Sequence, residues 1–255
     1  MRSPTSEHAL SLPLISFCTS CFNRAYQLKQ TFAANASTIS DDPRVEWIIL
    51  NYSSQDDLHE YMINNLPAIS RRIIYAVDSS RRPWHLSVAK NIAHRIASGL
   101  ILMNLDCDNY IGPSIPIIKD HFARGTKMLH LWSGIFRDGT CGRIATTKDT
   151  FYALGGYDEA LHPMGYQDRD FLRRALKSGL GSPCAHIKCP IGSSIINSKL
   201  ESIRYCATKG LTWEDYERAN RVQSDSNIAS GRFIANVDTA RFKGVLDIYR
   251  GKLTQ

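Results

Sequence analysis

No stretch of the 255 residues supplies the roughly 20 consecutive apolar residues that a membrane-spanning helix needs. The segment from Met1 to Phe17 has no basic region followed by a clean apolar run, so no secretory leader is expected. Neither G-x-G-x-x-G nor G-x-x-x-x-G-K-S/T occurs, which disfavours a Rossmann dinucleotide site and a P-loop. Internal repeats, low-complexity tracts and a Pro/Gly-rich linker are also missing, and the chain reads as one domain. Charge of one sign is never massed. The arginines come in pairs, Arg71-Arg72, Arg81-Arg82 and Arg173-Arg174, which excludes a basic tail and fits a solvated surface or a phosphate groove.

Composition is otherwise ordinary, with 43% hydrophobic and 22% charged residues, enough for a sizeable core. The formal net charge of +7 points to an anionic partner: a nucleotide, a nucleic acid or an anionic membrane surface. Seven cysteines, an odd and scattered set, indicate reduced thiols in a cytoplasmic setting. Cys18 falls within a strand and no Pro or Gly separates it from Cys21, unlike a thioredoxin-like site. A four-cysteine zinc site would need that pair to meet the distant Cys184/Cys189 pair.

Short apolar runs mark strands at Leu14–Thr19, Val45–Leu50, Arg72–Ala76 and Leu100–Leu105. Helices are expected from about Ala25 to Ala36, after Ser53 or Ser54 as N-cap, and from Trp84 to Ser98 with Gly99 as C-cap. This alternation predicts an α/β fold with a parallel, doubly wound sheet. Ligands in such sheets bind beyond the carboxyl ends of the strands. Thr19, Asn23, Arg24, Asn51, Ser53 and Asp106 lie at or just past those ends and are expected to converge. Further on, a helix is expected within Pro113–Arg124, strands at Lys127–Trp132 and Gly142–Thr146, and helices from Asp168 to about Lys177 and Thr212 to about Phe233. From Asp238 a charged tail follows.

Two acidic clusters carry the chemistry. Asp106-Cys107-Asp108 directly follows an apolar strand and offers hard oxygen ligands to Mn2+ or Mg2+, ions that neutralise a diphosphate. Gln167-Asp168-Arg169-Asp170 opens a helix just after the Gly155-Gly156 turn, where acids either cap the helix or act on a ligand.

These residues fall in order with others: Phe17 to Arg24, Ile48 to Ser54, Ala89-Lys90-Asn91, Asp106 to Asp108, Leu154 to Glu159 and Gly165 to Asp170. From about residue 12 to 200 the set resembles the GT-A glycosyltransferases, notably family 2 and the galactosyltransferase type with a G-W-G-x-E-D-x-D signature. The resemblance implies a GT-A (nucleotide-diphospho-sugar transferase) fold: one domain, with a mostly parallel central sheet flanked by helices. It further implies a nucleotide-binding half (12–108), a donor-sugar and acceptor half (109–235) and the tail (236–255).

By the same resemblance, Thr19, Asn23, Arg24, Asn51, Ser53, Lys90 and Asp106 hold the donor nucleotide. Asp106 and Asp108 bind the metal, with a third ligand at Asn197, which fits the spacing, or His186, the better ligand chemically. Gly142, Arg143, Tyr166, Gln167 and Asp170 lie by the donor sugar or acceptor, Asp170 alternatively bracing the helix. Asp168 is the general base of an inverting transfer. Departures from the pattern are Asn51 for an acid at the base, Gln167 for the usual Glu, and Met164 for an acceptor-stacking aromatic that Tyr166 could replace.

The implied partners are a nucleotide-sugar, foremost a UDP-sugar, and a saccharide, glycolipid or polymer-precursor acceptor. Peripheral association with the inner face of the membrane and a homodimer are both compatible with the sequence. A sugar-nucleotide nucleotidyltransferase needs a Gly-rich basic loop after the first strand, and Thr19-Ser-Cys-Phe-Asn23 has no glycine. A non-enzymatic nucleic-acid-binding protein would show aromatics interleaved with a basic patch. None stands out, so no nucleic acid is expected.

Overall fold

A computed structural model describes residues 14–80, 83–135, 138–188, 194, 195, 197–208, 210–237 and 246–252. Arg81-Arg82, Cys189 and the start of the charged tail lie outside the described residues. One eight-stranded sheet runs β7-β5-β6-β4-β1-β2-β3-β8. Its centre is the parallel set β1 (Ile15–Cys21), β2 (Val45–Asn51), β3 (Ile73–Asp78) and β4 (Ile101–Asn104). All seven positions of β1 and of β2 are buried. That is why these segments read as continuous apolar runs: central parallel strands are covered on both faces.

On one face, α1 (Ala25–Ser40) sets Leu28, Phe32 and Ile39 against Ile15, Phe17 and Trp47. On the other, α3 (Leu86–Ile96) packs Ala89, Ile92 and Ala93 against Cys18, Ile48 and Leu102. The two faces of β1 therefore belong to different core layers, as its period of two requires.

Beyond β4 the sheet becomes mixed. Helix α4 (Ser114–Ala123) leads to β5 (Met128–Trp132), and β6 (Ile144–Thr147) pairs antiparallel with both β4 and β5. The short α5 (Lys148–Ala153) and then α6 (Gln167–Lys177) follow, and β7 (Cys184–Lys188) closes one edge beside β5. Helices α7 (Lys199–Ile203) and α8 (Trp213–Ala229) follow, α8 with a Thr212/Asp215 capping box. Part of the expected tail is a strand: β8 (Leu246–Arg250) pairs antiparallel with β3.

Two expected caps are corrected. Gly99 does not end α3, because the chain is already extended at Ala97. The buried Glu46 carboxylate accepts from Ser98 N at 2.7 Å and from Ser16 Oγ at 2.6 Å, pulling the chain out of the helix. Gly99 is needed there for another reason, since a Cβ would sit 2.5 Å from Ser16 Oγ. Nor does either serine cap α2 (Leu58–Asn65), whose N-cap is Asp57. Ser54 N instead donates to Asn51 Oδ1 at 2.7 Å, and Ser53, at φ 57°, donates to the Asp78 carbonyl. The Gly155-Gly156 turn does need glycine: both have positive φ, and a Cβ on Gly155 would lie 1.9 Å from Ala235 O.

Buried His94 stacks on Phe151 at 4.8 Å and contacts Lys90 O at 2.7 Å. Burial lowers its pKa from 6.5 to about 4. The folded state thus holds His94 neutral while the unfolded state protonates below about 6.5, so stability present above that pH is lost as pH falls toward 4. Between pH 7 and pH 5 wild type should lose about 2 kcal/mol more than His94→Phe. Urea unfolding at the two pH values measures the difference, and equal losses would contradict it.

Candidate active site

A cavity of about 690 Å³ opens beyond the carboxyl ends of β1 and β4, within the range of ligand pockets. One wall is the loop after β4 with Asp106 and Asp108, another the start of α6 with Gln167, Asp168 and Arg169, and a third the 138–142 turn. Aromatic rings line much of the rest: Phe22, Trp84, Trp132, Tyr166, Tyr205 and Trp213.

The two acidic clusters meet around Lys90. Its Nζ lies 2.7 Å from Asp168 Oδ1 and 3.4 Å from Asp106 Oδ1, with the lysine side chain only 1% exposed. Burial opposes the Lys90 charge, yet Asp106 and Asp168 hold its pKa above the ordinary value. Gly142 touches the same acids from the other side. A Cβ there would stand 2.6 Å from Asp106 Oδ2 and 3.2 Å from Asp168 Oδ2, so glycine lets the turn close onto both carboxylates.

Burial raises the Asp168 pKa, and Lys90 pulls it back. A carboxylate with a raised pKa is a stronger proton acceptor, the property a general base needs. Burial and the charge of Asp106 raise Asp108 to about 6. The pair therefore carries electrostatic repulsion that a cation would relieve.

A divalent cation fits the donor set. Asp106, Asp108 and Asn197 all line the cavity, and Asn197 hydrogen-bonds Asp108 through its side chain. Asn197 Oδ1 is buried without a hydrogen-bond partner among the described residues. Two carboxylates and an orphaned amide oxygen are the hard donors that Mn2+ or Mg2+ takes. His186 does not line the cavity. Its Nδ1 lies 3.0 Å from His130 Nδ1, and His130 Nε2 donates to Cys141 O at 2.9 Å, so the His186 proton is committed to β5.

Arg24, Lys90, Gly142, Tyr166 and Gln167 also line the cavity, while Asn23 faces a smaller adjoining one that shares Arg24. Several expected contacts do not. Thr19 is fully buried, donating to Leu105 O at 2.7 Å and accepting from Trp47 Nε1 at 2.9 Å. Asn51 is spent on Ser54 N and on Tyr75 Oη at 2.8 Å, and Ser53 on Asp78. Arg143, 1% exposed, turns away to Ile111 O and Ser114 Oγ. Asp170 is fully buried against Arg174 at 2.7 Å, so of its two expected roles the helix brace is the one its geometry allows.

Trp84, Trp213 and Glu217 also stand in the wall, and no feature of the sequence marked them out. Trp213 and Glu217 stand four apart on α8 and so share a helix face, Lys199 lies 4.7 Å over the Trp213 ring, and Arg169 pairs with Glu217 at 3.3 Å. Trp84 stacks on Phe22 at 5.7 Å. Tyr166 holds φ 73°, a conformation costly for a bulky residue, and its hydroxyl accepts from Arg173 at 3.0 Å.

No family model matches the chain, and no curated protein matches it by sequence. Solved structures do match. Staphylococcus aureus TarS in complex with UDP-GlcNAc aligns at TM-score 0.62 and 11% identity, over 88% of this chain and 68% of that one. Mycobacterium tuberculosis glucosyl-3-phosphoglycerate synthase, with Mn2+, UDP and phosphoglyceric acid, aligns at 0.57 and 15%, over 95% and 88%. The chain has a GT-A fold. A third structure with the GT-A fold, mannosyltransferase PcManGT from Pyrobaculum calidifontis with GDP-Man and Mn2+, aligns at 0.53 and 13%, over 85% and 70%.

Proposed function

We propose that this protein is an inverting, metal-dependent glycosyltransferase that moves a sugar from a nucleotide-sugar, foremost a UDP-sugar, to an acceptor hydroxyl. One observation carries the reading: Asp168 and the Asp106/Asp108 pair face one cavity at the strand ends of a GT-A fold, joined through Lys90. The nucleotide-sugar and Mn2+ complexes of the similar structures support it.

In this mechanism Asp168 takes the proton of the acceptor hydroxyl as its oxygen attacks the anomeric carbon. The bond from that carbon to the diphosphate oxygen breaks from the opposite side, inverting the centre. Lys90 fixes the Asp168 rotamer and keeps the base close to the Asp106 side of the cavity. Asp106, Asp108 and Asn197 would hold Mn2+ or Mg2+, which neutralises the departing diphosphate. Residues 12–108 chiefly serve the nucleotide, with Arg24 reaching the cavity, and residues 109–235 serve the sugar and the acceptor. Trp213 and Tyr166 offer ring faces to a saccharide acceptor.

Thermal unfolding with UDP, GDP, CDP and dTDP, each with and without Mn2+, tests this directly. Saturation at a hundred times the dissociation constant adds roughly 2.7 kcal/mol. The expected outcome is a rise in Tm with UDP that requires Mn2+. A rise with another nucleotide alone would change the donor, and no rise with any of the four would overturn the reading.

A further inference from the structure

The acid pair is flanked in sequence by asparagines, Asn104-Leu-Asp106-Cys-Asp108-Asn109, and each amide does the same thing. Asn104 Nδ2 donates to Asp106 Oδ1 at 3.1 Å and to Gly142 O at 2.8 Å. Asn109 Nδ2 donates to Asp108 Oδ1 at 2.7 Å and to Gly139 O at 3.1 Å. Both asparagines are 1% exposed. Their orientation is unambiguous, because each nitrogen faces two oxygens that can only accept.

We infer that Asn104 and Asn109 are paired positioning residues that clamp the two carboxylates to opposite ends of the 139–142 turn and so set the geometry of the cation site. This rests on the proposed metal-dependent transfer. Each amide occupies the Oδ1 atom of its acid and leaves Oδ2 on the side of the turn, where a Cβ on Gly142 would meet Asp106 Oδ2 at 2.6 Å and one on Gly139 would lie 3.9 Å from Asp108 Oδ2. A carboxylate held by one oxygen presents the other in a fixed direction, and such supporting hydrogen bonds are typically worth 10- to 100-fold in metal affinity. The turn that closes onto Asp168 through Gly142 is held by the same amide that orients Asp106, so the two acidic clusters are aligned as one unit.

The loop offers its own control. Asn35, on α1, holds the backbone of the same segment, donating to Asn109 O at 3.0 Å and accepting from Ile111 N at 2.8 Å, and neither bond involves the two acids. Mn2+ affinity in the presence of UDP, read from the spin-resonance signal of free Mn2+, is compared for wild type, Asn104→Ala, Asn109→Ala, their Ser counterparts and Asn35→Ala. Melting curves without metal run in parallel, and the Ser variants replace any Ala variant that does not fold. The expected result is Mn2+ binding weakened about 10- to 100-fold at Asn104 and Asn109, and less than about 3-fold at Asn35 even where its Tm falls as far. Unchanged binding at either clamp asparagine, or an equal loss at Asn35, overturns the inference and leaves the transferase reading standing. No Mn2+ binding by wild type with UDP or GDP overturns both.

Discussion

Asp168→Asn should reduce the rate of sugar transfer by about 10²- to 10⁴-fold, the usual contribution of a positioned general base. The amide keeps the size of the carboxylate and a carbonyl oxygen toward Lys90, so the 2.7 Å contact survives in weakened form. What it cannot do is take the acceptor proton. Nucleotide and Mn2+ binding should change little, because Asp106 and Asp108 stay in place and Lys90 keeps Asp106 as a partner at 3.4 Å. The fall should therefore appear in kcat, with the Mn2+-dependent rise in Tm retained. Turnover of Asp168→Asn within a factor of two of wild type would remove Asp168 as the base.

Arg174→Leu is expected to cost about 3–5 kcal/mol of stability, as breaking a buried ion pair does. Its guanidinium is 1% exposed and donates to Asp170 Oδ2 and Gly156 O, both at 2.7 Å, Leu154 O at 3.0 Å and Phe233 O at 3.1 Å. Truncation strands a fully buried Asp170 charge and three carbonyls at once. The double variant Arg174→Leu/Asp170→Leu should recover only part of the loss, since the carbonyls stay unpaired. Urea unfolding measures both. A single-variant loss under about 1 kcal/mol would show that water or repacking satisfies these groups. Because Arg174 ties α6 to the Gly155-Gly156 turn, the loss should also loosen the helix that carries Asp168.

The same residues explain what the chain discloses without its fold. The apolar runs at β1 to β4 and the helical segments between them were legible because both faces of a central strand are covered, and that leaves an uninterrupted run of buried residues. Asp106, Asp108 and Asp168 were legible as candidates because acids at strand ends and helix starts are local features. Strand β8 was not, since its exposed positions carry no burial pattern and its pairing with β3 spans most of the chain.

Side-chain direction was the harder part. Thr19, Asn51, Ser53, Arg143 and Asp170 sit at plausible positions along the chain. Yet hydrogen bonds to residues from 3 to 86 places away turn them inward, and only packing selects such partners. The sequence by itself determined the order of strands and helices from β1 to β4, the acids available for chemistry and the lack of a glycine-rich phosphate loop. Tertiary structure alone decided that Asp168 faces Asp106 across Lys90 and Gly142, residues 78 and 26 positions from Asp168. It could do so because a parallel sheet gathers the carboxyl ends of distant strands on one side, where a buried lysine and a turn with no Cβ let the two acidic clusters meet.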